Sequence, residues 1–175
     1  MRDCNVVKQQ MDYSCGAAAL ATLMRDFGDD VAEATILRRL LAQMSEGEAK
    51  GRKKDGLSLL DLKQAAESMG YEAVGVRLTY DVLPQLTGPI LVYLEKDDFR
   101  HFSVLRGVRE DRVFLADPSR GNVRMRIESF AREWQGIALV LGKRAVGGGA
   151  LHPLALDRTA PLRPELEAAR RALRN

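Results

Sequence analysis

The 175-residue chain is 46% apolar and 29% charged, with a net charge of +3, which is typical of one soluble domain with a sizeable core. Its apolar runs are too short to cross a bilayer and no signal peptide is visible, so stable membrane insertion is not expected. The excess of positive charge lies in residues 142–175, where seven Lys and Arg residues accompany three acids. The remaining body is nearly neutral, which argues against nucleic acid as the main ligand.

A first helix is predicted over residues 15–25, where small apolar residues follow Cys15 without a breaker. Ser14 is a favourable N-cap residue for this helix. A thiol at a helix start lies near unpaired backbone N–H groups and the positive end of the helix dipole, and both favour the thiolate. Cys15 is therefore a candidate nucleophile, although most free cysteines are simply small buried side chains.

The remaining pattern predicts an α+β fold, with helices first and a mainly antiparallel sheet after them. Apolar residues at helical spacing predict a second helix between Val31 and Met44, and Ser58 and Gly70 bound a third. The polar segment 45–56 is predicted to be a loop. Strands are predicted at 71–77, 89–94, 101–107, 111–117, 122–127 and 137–141, with a turn at 96–98 and short helices at 79–86 and 129–134.

The predicted domain covers residues 1–141. Residues 142–175 contain a run of three glycines and three prolines, which predicts a basic tail with a short helix at 164–174. The chain has only two cysteines, Cys4 and Cys15, so a disulfide framework is excluded, although a bridge between these two is possible. One thiol and one histidine are too few ligands for a metal site. No metal or cofactor is expected.

The candidate base is His101, because the other histidine, His152, lies in the predicted tail. A hairpin turn centred near Arg109 would place His101 directly opposite Asp117, with Cβ atoms about 4.5–5.5 Å apart. A slip of one residue would separate the two side chains onto opposite faces. Two alternatives remain open for Asp117: a purely structural pair with the histidine, or bonds only to its own backbone before Pro118.

Together, the thiol, the histidine and the acid supply the parts of a nucleophilic catalytic site. Gln9 lies where a loop could return an amide donor towards the sulfur. Four motifs then occur in order over residues 5–141: Gln9-x5-Cys15-Gly16-Ala17-Ala18-x-Leu20, His101-Phe102-x-Val104, Ala116-Asp117-Pro118 and Phe130-x3-Trp134-x-Gly136. In combination they resemble the C39 peptidases, which are papain-like domains best known at the front of bacteriocin exporters.

The resemblance implies a papain-like fold and a cysteine endopeptidase that cleaves a leader or precursor peptide after a Gly-Gly-type pair. Cys15 would attack, His101 would carry the proton, and Asp117 would orient the imidazole. The spacing of the family motif favours Gln9 over Gln10 as the oxyanion donor, beside the Cys15 backbone N–H.

No ATP-binding or transmembrane region follows these motifs, so the chain is similar to stand-alone members, including peptidases of bacterial functional-amyloid (Fap) export systems. The implied partners are a peptide or protein with a Gly-Gly-type leader and components of an export machinery. A bacterial protein is expected, periplasmic if a signal peptide has been trimmed and cytoplasmic otherwise. Two other functions stay open: a non-catalytic domain that holds substrate, and a papain-like acyltransferase or amidase.

Overall fold

The computed structural model describes residues 2–96 and 99–143. The helices are α1 (Cys15–Asp26), α2 (Glu33–Leu41), α3 (Glu46–Asp55), α4 (Leu59–Ser68) and α5 (Ile127–Glu133). The strands are β1 (Tyr71–Arg77), β2 (Ile90–Lys96), β3 (Phe99–Arg109), β4 (Arg112–Asp117), β5 (Gly121–Arg126) and β6 (Trp134–Lys143), and a 3-10 helix covers Tyr80–Gln85. The predicted tail beyond residue 143 and the centre of the predicted turn at 96–98 lie outside the described residues.

The six strands form one antiparallel sheet in the order β1-β6-β2-β3-β4-β5. One buried apolar cluster joins α1, α2 and α4 to the sheet, and a second joins the 3-10 helix and α5 to it. The predicted α+β architecture, with helices packed on a mainly antiparallel sheet, is confirmed.

Helix α1 is buried almost along its whole length, because its small residues allow a close approach to the sheet. A Cβ atom on Gly16 would lie 3.1 Å from side-chain carbons of both Leu62 and Phe102. Contacts this short leave almost no free volume in a close-packed interior. The glycine after Cys15 therefore lets the helix start press directly against β3.

Helix α3 occupies most of the segment that was predicted to be a loop, so that prediction is wrong. Ser45 and Glu48 form a reciprocal capping box at its start: the Ser45 N–H donates to the Glu48 carboxylate at 2.9 Å, and the Glu48 N–H donates to Ser45 Oγ. None of the ten residues of α3, all of which the structure describes, is buried. The helix consequently has no apolar periodicity, and its capping box was the only local signal for it.

The β3–β4 hairpin has a different register from the predicted one. Near the turn, Arg109 is paired with Arg112 and Gly107 with Phe114, but beyond Arg106 the pairing shifts so that Leu105 lies opposite Leu115. Continuing this second register would set Ser103, not His101, opposite Asp117. The predicted pairing is wrong by two residues, yet a shift of two keeps His101 and Asp117 on the same face.

Candidate active site

A buried hydrogen bond joins the two strands that carry His101 and Asp117. The imidazole Nε2 lies 3.1 Å from Asp117 Oδ2, and the exposed fractions of the two residues are 3% and 0%. His101 is the third residue of β3, and Asp117 is the last residue of β4. Two side chains sixteen positions apart are thus brought together by the hairpin, as predicted, although through the shifted register.

The turn after β4 surrounds Asp117 with further donors. Its Oδ1 accepts hydrogen bonds from the Ser119 N–H at 2.9 Å, the Ser119 hydroxyl at 2.8 Å and the Arg120 N–H at 2.9 Å. The Arg120 guanidinium donates to Oδ2 at 3.0 Å. Asp117 therefore stabilises its own turn with one oxygen and binds His101 with the other, so the alternative that it bonds only to its own backbone is wrong. Ser119 and Arg120 were not predicted, although a polar residue two positions after an Asp-Pro pair is a turn signal.

The Cys15 side chain interacts with the ring of His101 and helps to raise the pKa of the imidazole, so His101 lies between the start of α1 and the end of β4. Because Nε2 is engaged by Asp117, Nδ1 is the ring nitrogen left for the sulfur. Cys15 is itself a free, buried cysteine, and Cys4 is free and exposed. The bridge between them that the sequence allowed is not formed.

The electrostatic environment favours the charged forms of both His101 and Asp117. Burial alone would lower the pKa of His101, but the hydrogen bond to Asp117, followed by the interaction with Cys15, raises it to about 9. For Asp117, burial raises the pKa, and the bonds from His101, Arg120 and Ser119 outweigh it, so the pKa of this carboxyl lies well below its usual range. His101 is therefore cationic at neutral pH.

The start of α1 is open beside Cys15. The Ser14 hydroxyl turns back and donates to the Met11 carbonyl at 2.8 Å, and no side chain among the described residues caps the helix. Ser14 occupies the N-cap position of α1, as predicted, but its side chain does not form a capping hydrogen bond. Without a capping side chain, the backbone N–H groups at the start of α1 stay free to attract negative charge, which suits a nucleophile at this position.

Gln9 lies between the Asp117 turn and the loop that leads to Cys15. Its backbone N–H donates to the Pro118 carbonyl at 3.0 Å, and its side-chain Nε2 donates to the Met11 carbonyl at 3.2 Å. The buried Oε1 accepts no hydrogen bond from the described residues. Gln10, in contrast, is exposed, and its backbone N–H is held by Glu33 at 3.2 Å. The oxyanion role of Gln9 stays a prediction.

A cleft of about 310 Å³ opens next to Cys15. Its other lining residues come from the end of α3, the start of α4 and the sheet: Arg52, Asp55, Gly56, Leu57, Ser58, Leu59, Tyr93, Arg100, Phe102 and Ile137. On the sheet side, the rings of Tyr93 and Phe102 pack with centroids 5.2 Å apart. Sequence reasoning missed these residues, since an aromatic residue in a strand indicates core packing as readily as a binding wall.

Phe99 covers the imidazole from another direction. Its ring stacks on that of His101 with centroids 5.3 Å apart, although Phe99 itself is 62% exposed. An exposed aromatic residue normally indicates nothing about function in a sequence. Its position became informative only once the partner ring was known.

The comparisons with known proteins agree with this geometry. The sequence matches the model of the Peptidase C39 family over residues 3–145. The chain belongs to the C39 peptidase family and is a cysteine peptidase.

The chain is similar to two relatives and two solved structures with informative descriptions. The chain is 35% identical over 172 residues to the probable functional amyloid protease FapD of Pseudomonas aeruginosa. The match covers 93% of this chain and 75% of that protein. It is also similar to the peptidase domain of Streptococcus ComA, a bi-functional ABC transporter, with a TM-score of 0.68, 26% identity and coverage of 79% of this chain and 98% of the other.

A double-glycine motif protease from an AMS/PCAT transporter, solved in complex with the leader peptide, has a TM-score of 0.64 and 29% identity, and the match covers 78% of this chain and 89% of that one. The lactococcin-G-processing and transport ATP-binding protein LagD of Lactococcus lactis is 26% identical over 137 residues, which are 77% of this chain and 18% of LagD. The similarity to exporters is therefore confined to their peptidase portion.

Proposed function

We propose that this protein is an endopeptidase that cleaves a leader or precursor peptide after a Gly-Gly-type pair, using Cys15, His101 and Asp117. The observation that carries the proposal is the buried imidazole of His101, which is hydrogen-bonded to Asp117 and interacts with the side chain of Cys15. The similarity to a protease solved with its leader peptide supports the substrate class.

In the proposed reaction the Cys15 thiolate attacks the carbonyl carbon of the scissile bond and forms a tetrahedral intermediate. The His101 imidazolium donates its proton to the leaving amine as the C–N bond breaks, which leaves a thioester and a neutral ring. That ring then takes a proton from water, the hydroxide attacks the thioester, and Cys15 is released as thiolate beside a cationic His101. Asp117 keeps the ring oriented and stabilises its positive charge throughout.

The oxyanion of the intermediate would be held by the Cys15 backbone N–H and by the amide of Gln9. The open start of α1 and the position of Gln9 beside the Met11–Ser14 loop support this assignment. The Gln9 amide would have to exchange its bond to the Met11 carbonyl for one to substrate. Such tightening on substrate binding is common for catalytic groups.

The substrate would enter the cleft that runs from Cys15 to the α3–α4 connection. Bulky walls such as Tyr93 and Phe102 next to the sulfur support a preference for residues without side chains at the scissile pair. The similarity to FapD supports a functional-amyloid precursor as the substrate, with export components as partners.

The Pseudomonas relatives support a bacterial protein. In the described part of the chain, no helix has both the length and the apolar character needed to cross a bilayer. We propose action in the periplasm when the chain follows a signal peptide, and in the cytoplasm otherwise.

The test is incubation of the protein with synthetic leader peptides that end in Gly-Gly and continue for several residues, followed by mass spectrometry. Cleavage after the second glycine is expected, and it should disappear in Cys15→Ala and when either glycine of the peptide is replaced by valine. Tight binding of the peptide by both proteins without cleavage would contradict the proposal in favour of a holding domain. Transfer of the acyl group to an added amine in place of water would favour an acyltransferase.

A further inference from the structure

We propose that Arg106 is a positioning residue for the catalytic histidine. It occupies a β-bulge that sets the face of β3 on which His101 lies, and its guanidinium fixes this bulge to the helix that carries Cys15. The proposal rests on the proposed function for its catalytic consequence, but its structural claim can be tested separately.

The bulge is evident from the spacing of the hairpin residues that pack in the same apolar cluster. On β4, Val113 and Leu115 belong to one apolar cluster at the regular spacing of two. On β3, Leu105 belongs to that cluster and Val108 packs against it, a spacing of three that an unbroken strand cannot produce. The extra residue lies between Leu105 and Gly107, where the pairing with β4 shifts.

The bulge decides the position of His101. If the register next to the turn, with Gly107 opposite Phe114, continued without interruption, Val104 would lie opposite Asp117. His101, three residues before Val104, would then point to the other face of the sheet. The single extra residue restores His101 and Asp117 to one face, where their side chains meet at 3.1 Å.

The side chain of Arg106 joins this bulge to three other segments. Its Nε and Nη2 donate to the Asp26 carboxylate at 3.1 and 3.0 Å, and Asp26 is the last residue of α1. Its Nη1 donates to Asn122 Oδ1 at 2.9 Å on β5, and Nη2 also donates to the Asn5 carbonyl at 2.7 Å. The ion pair is largely shielded, with exposed fractions of 26% and 17%.

These bonds link the elements that carry the reacting groups. Cys15 begins α1 and Asp26 ends it, His101 lies on the same strand as Arg106, and Asn122 follows the Asp117 turn. A planar guanidinium with a fixed fork of donors suits such a four-way junction, and lysine does not reproduce it. Loss of the junction should let the strand change its register or twist at the bulge, which would displace the imidazole.

The test compares Arg106→Ala, Arg106→Lys and a matched control, Arg109→Ala, on the far side of the bulge in the same exposed strand end. Arg106→Ala should lower kcat about 10²-fold, the scale of a displacement of roughly 1 Å, with KM within about twofold. Arg106→Lys should recover only part of the loss, and Arg109→Ala should match the wild type. Active-site titration of Cys15, with Cys4→Ser present in every variant to remove the exposed thiol, normalises each rate to active enzyme.

An NMR titration of His101 supplies a readout that does not need activity, with His152→Gln removing the only other histidine signal. The pKa of His101, about 9 in the wild type, should fall towards its ordinary 6.5 in Arg106→Ala and stay unchanged in Arg109→Ala. If Arg106→Ala does not fold, Asp26→Asn, which removes the charge facing the guanidinium, should shift both readouts in the same direction by a smaller amount.

The proposal is overturned if Arg106→Ala or Asp26→Asn lowers the melting temperature while kcat per titrated site and the His101 pKa stay at their wild-type values. Absence of peptide cleavage by the wild type would instead refute the proposed function. In that case the NMR titration alone still decides whether Arg106 positions His101.

Discussion

The turn that holds Asp117 and the helix α3 both border the active site, but they are built in opposite ways. The Asp117 carboxylate, fully buried, accepts bonds from His101, Ser119 and Arg120, and Gln9 is tied to the adjacent Pro118 carbonyl. The segment 2–9 also runs beside this turn: Gly121, at φ +84°, leaves no room for a Cβ because the Arg2 carbonyl would lie 2.6 Å from it.

Helix α3 contacts the body of the protein mainly through one arginine. Arg52 Nε lies 2.6 Å from Asp61 Oδ2 as an ion pair, and its guanidinium also donates to Asp61 Oδ1 at 3.3 Å. Asp61 in turn closes the capping box of α4 with Ser58. The end of α3 forms one wall of the cleft, yet this wall contributes no apolar burial.

This difference indicates that proton transfer and peptide binding tolerate displacement of the protein groups to different degrees. Proton transfer requires groups held to within fractions of an ångström, and the several bonds to Asp117 would give the proposed acid and base that precision. A wall for a peptide chain must admit and release substrate, and elements with few buried contacts open at low free-energy cost. Changes in the Asp117 turn should therefore affect kcat, and changes in α3 should affect KM.

The largest effect is expected for Asp117→Asn. The amide keeps the size of the side chain but removes the charge that stabilises the His101 cation, so kcat should fall by about 10²-fold or more. The pKa of His101 should move down from about 9, which a pH–rate profile would detect. Asp111→Asn, a change of a half-exposed acid at the other end of the hairpin, is the matched control. Equal losses in both variants would contradict a specific role for the turn.

Gln9→Ala should come next. Removal of one oxyanion donor typically lowers kcat by roughly 10²–10³-fold, and steady-state kinetics on a Gly-Gly peptide would measure it. The neighbouring Gln10→Ala is the control, because Gln10 is exposed and contributes only a backbone bond to Glu33. If the two variants lose activity equally, Gln9 is not the donor.

The pH dependence of stability should reflect the same coupled pair. Since the pKa of His101 is raised from 6.5 to about 9 in the folded state, its stabilisation is complete below pH 6.5 and is lost as pH rises through 9. The loss should be at most about 3 kcal/mol in the free energy of unfolding. The contribution of Asp117, whose pKa is lowered from 3.8, should be lost on acidification below that value.

Denaturant unfolding between pH 6 and 10 would measure the alkaline decline. His101→Gln should flatten this part of the curve. A decline of the same size in that variant would show that other groups cause it.

The smallest effect is expected for Arg52→Ala. Loss of the ion pair with Asp61 should loosen α3, raise KM severalfold and leave kcat within about twofold, because the pair is partly exposed and contributes about 1 kcal/mol or less. Lys53→Ala, next to it on the exposed helix, is the control. A large fall in kcat for Arg52→Ala would mean that the cleft wall also orders the reacting groups.

Cys15, His101 and Asp117, the proposed nucleophile, base and acid, could be placed on the right elements from sequence, because each placement depends on local patterns. The small-residue run after Cys15 predicts a buried helix start, and the alternating runs around His101 and Asp117 predict a hairpin. The exact pairing of that hairpin could not be predicted, because the bulge at Arg106 depends on contacts with Asp26, Asn5 and Asn122, which are distant in the chain.

Helix α3 escaped prediction for the opposite reason. Its stability comes from a capping box, charges at its two ends and one ion pair, none of which leaves an apolar period in the sequence. The orientation of the Ser14 side chain could not be predicted either, since a serine hydroxyl can bond to the helix after it or to the turn before it. The backbone of the Met11–Ser14 loop decides between these two.

The bulge also imposes a counting rule on how this hairpin can vary in length. An insertion or deletion of one residue between the base and the acid would turn one of them away from the other, unless a second irregularity compensated for it. Changes of two would leave the pair intact. Homologous hairpins should therefore differ in even steps, or exchange one bulge for another.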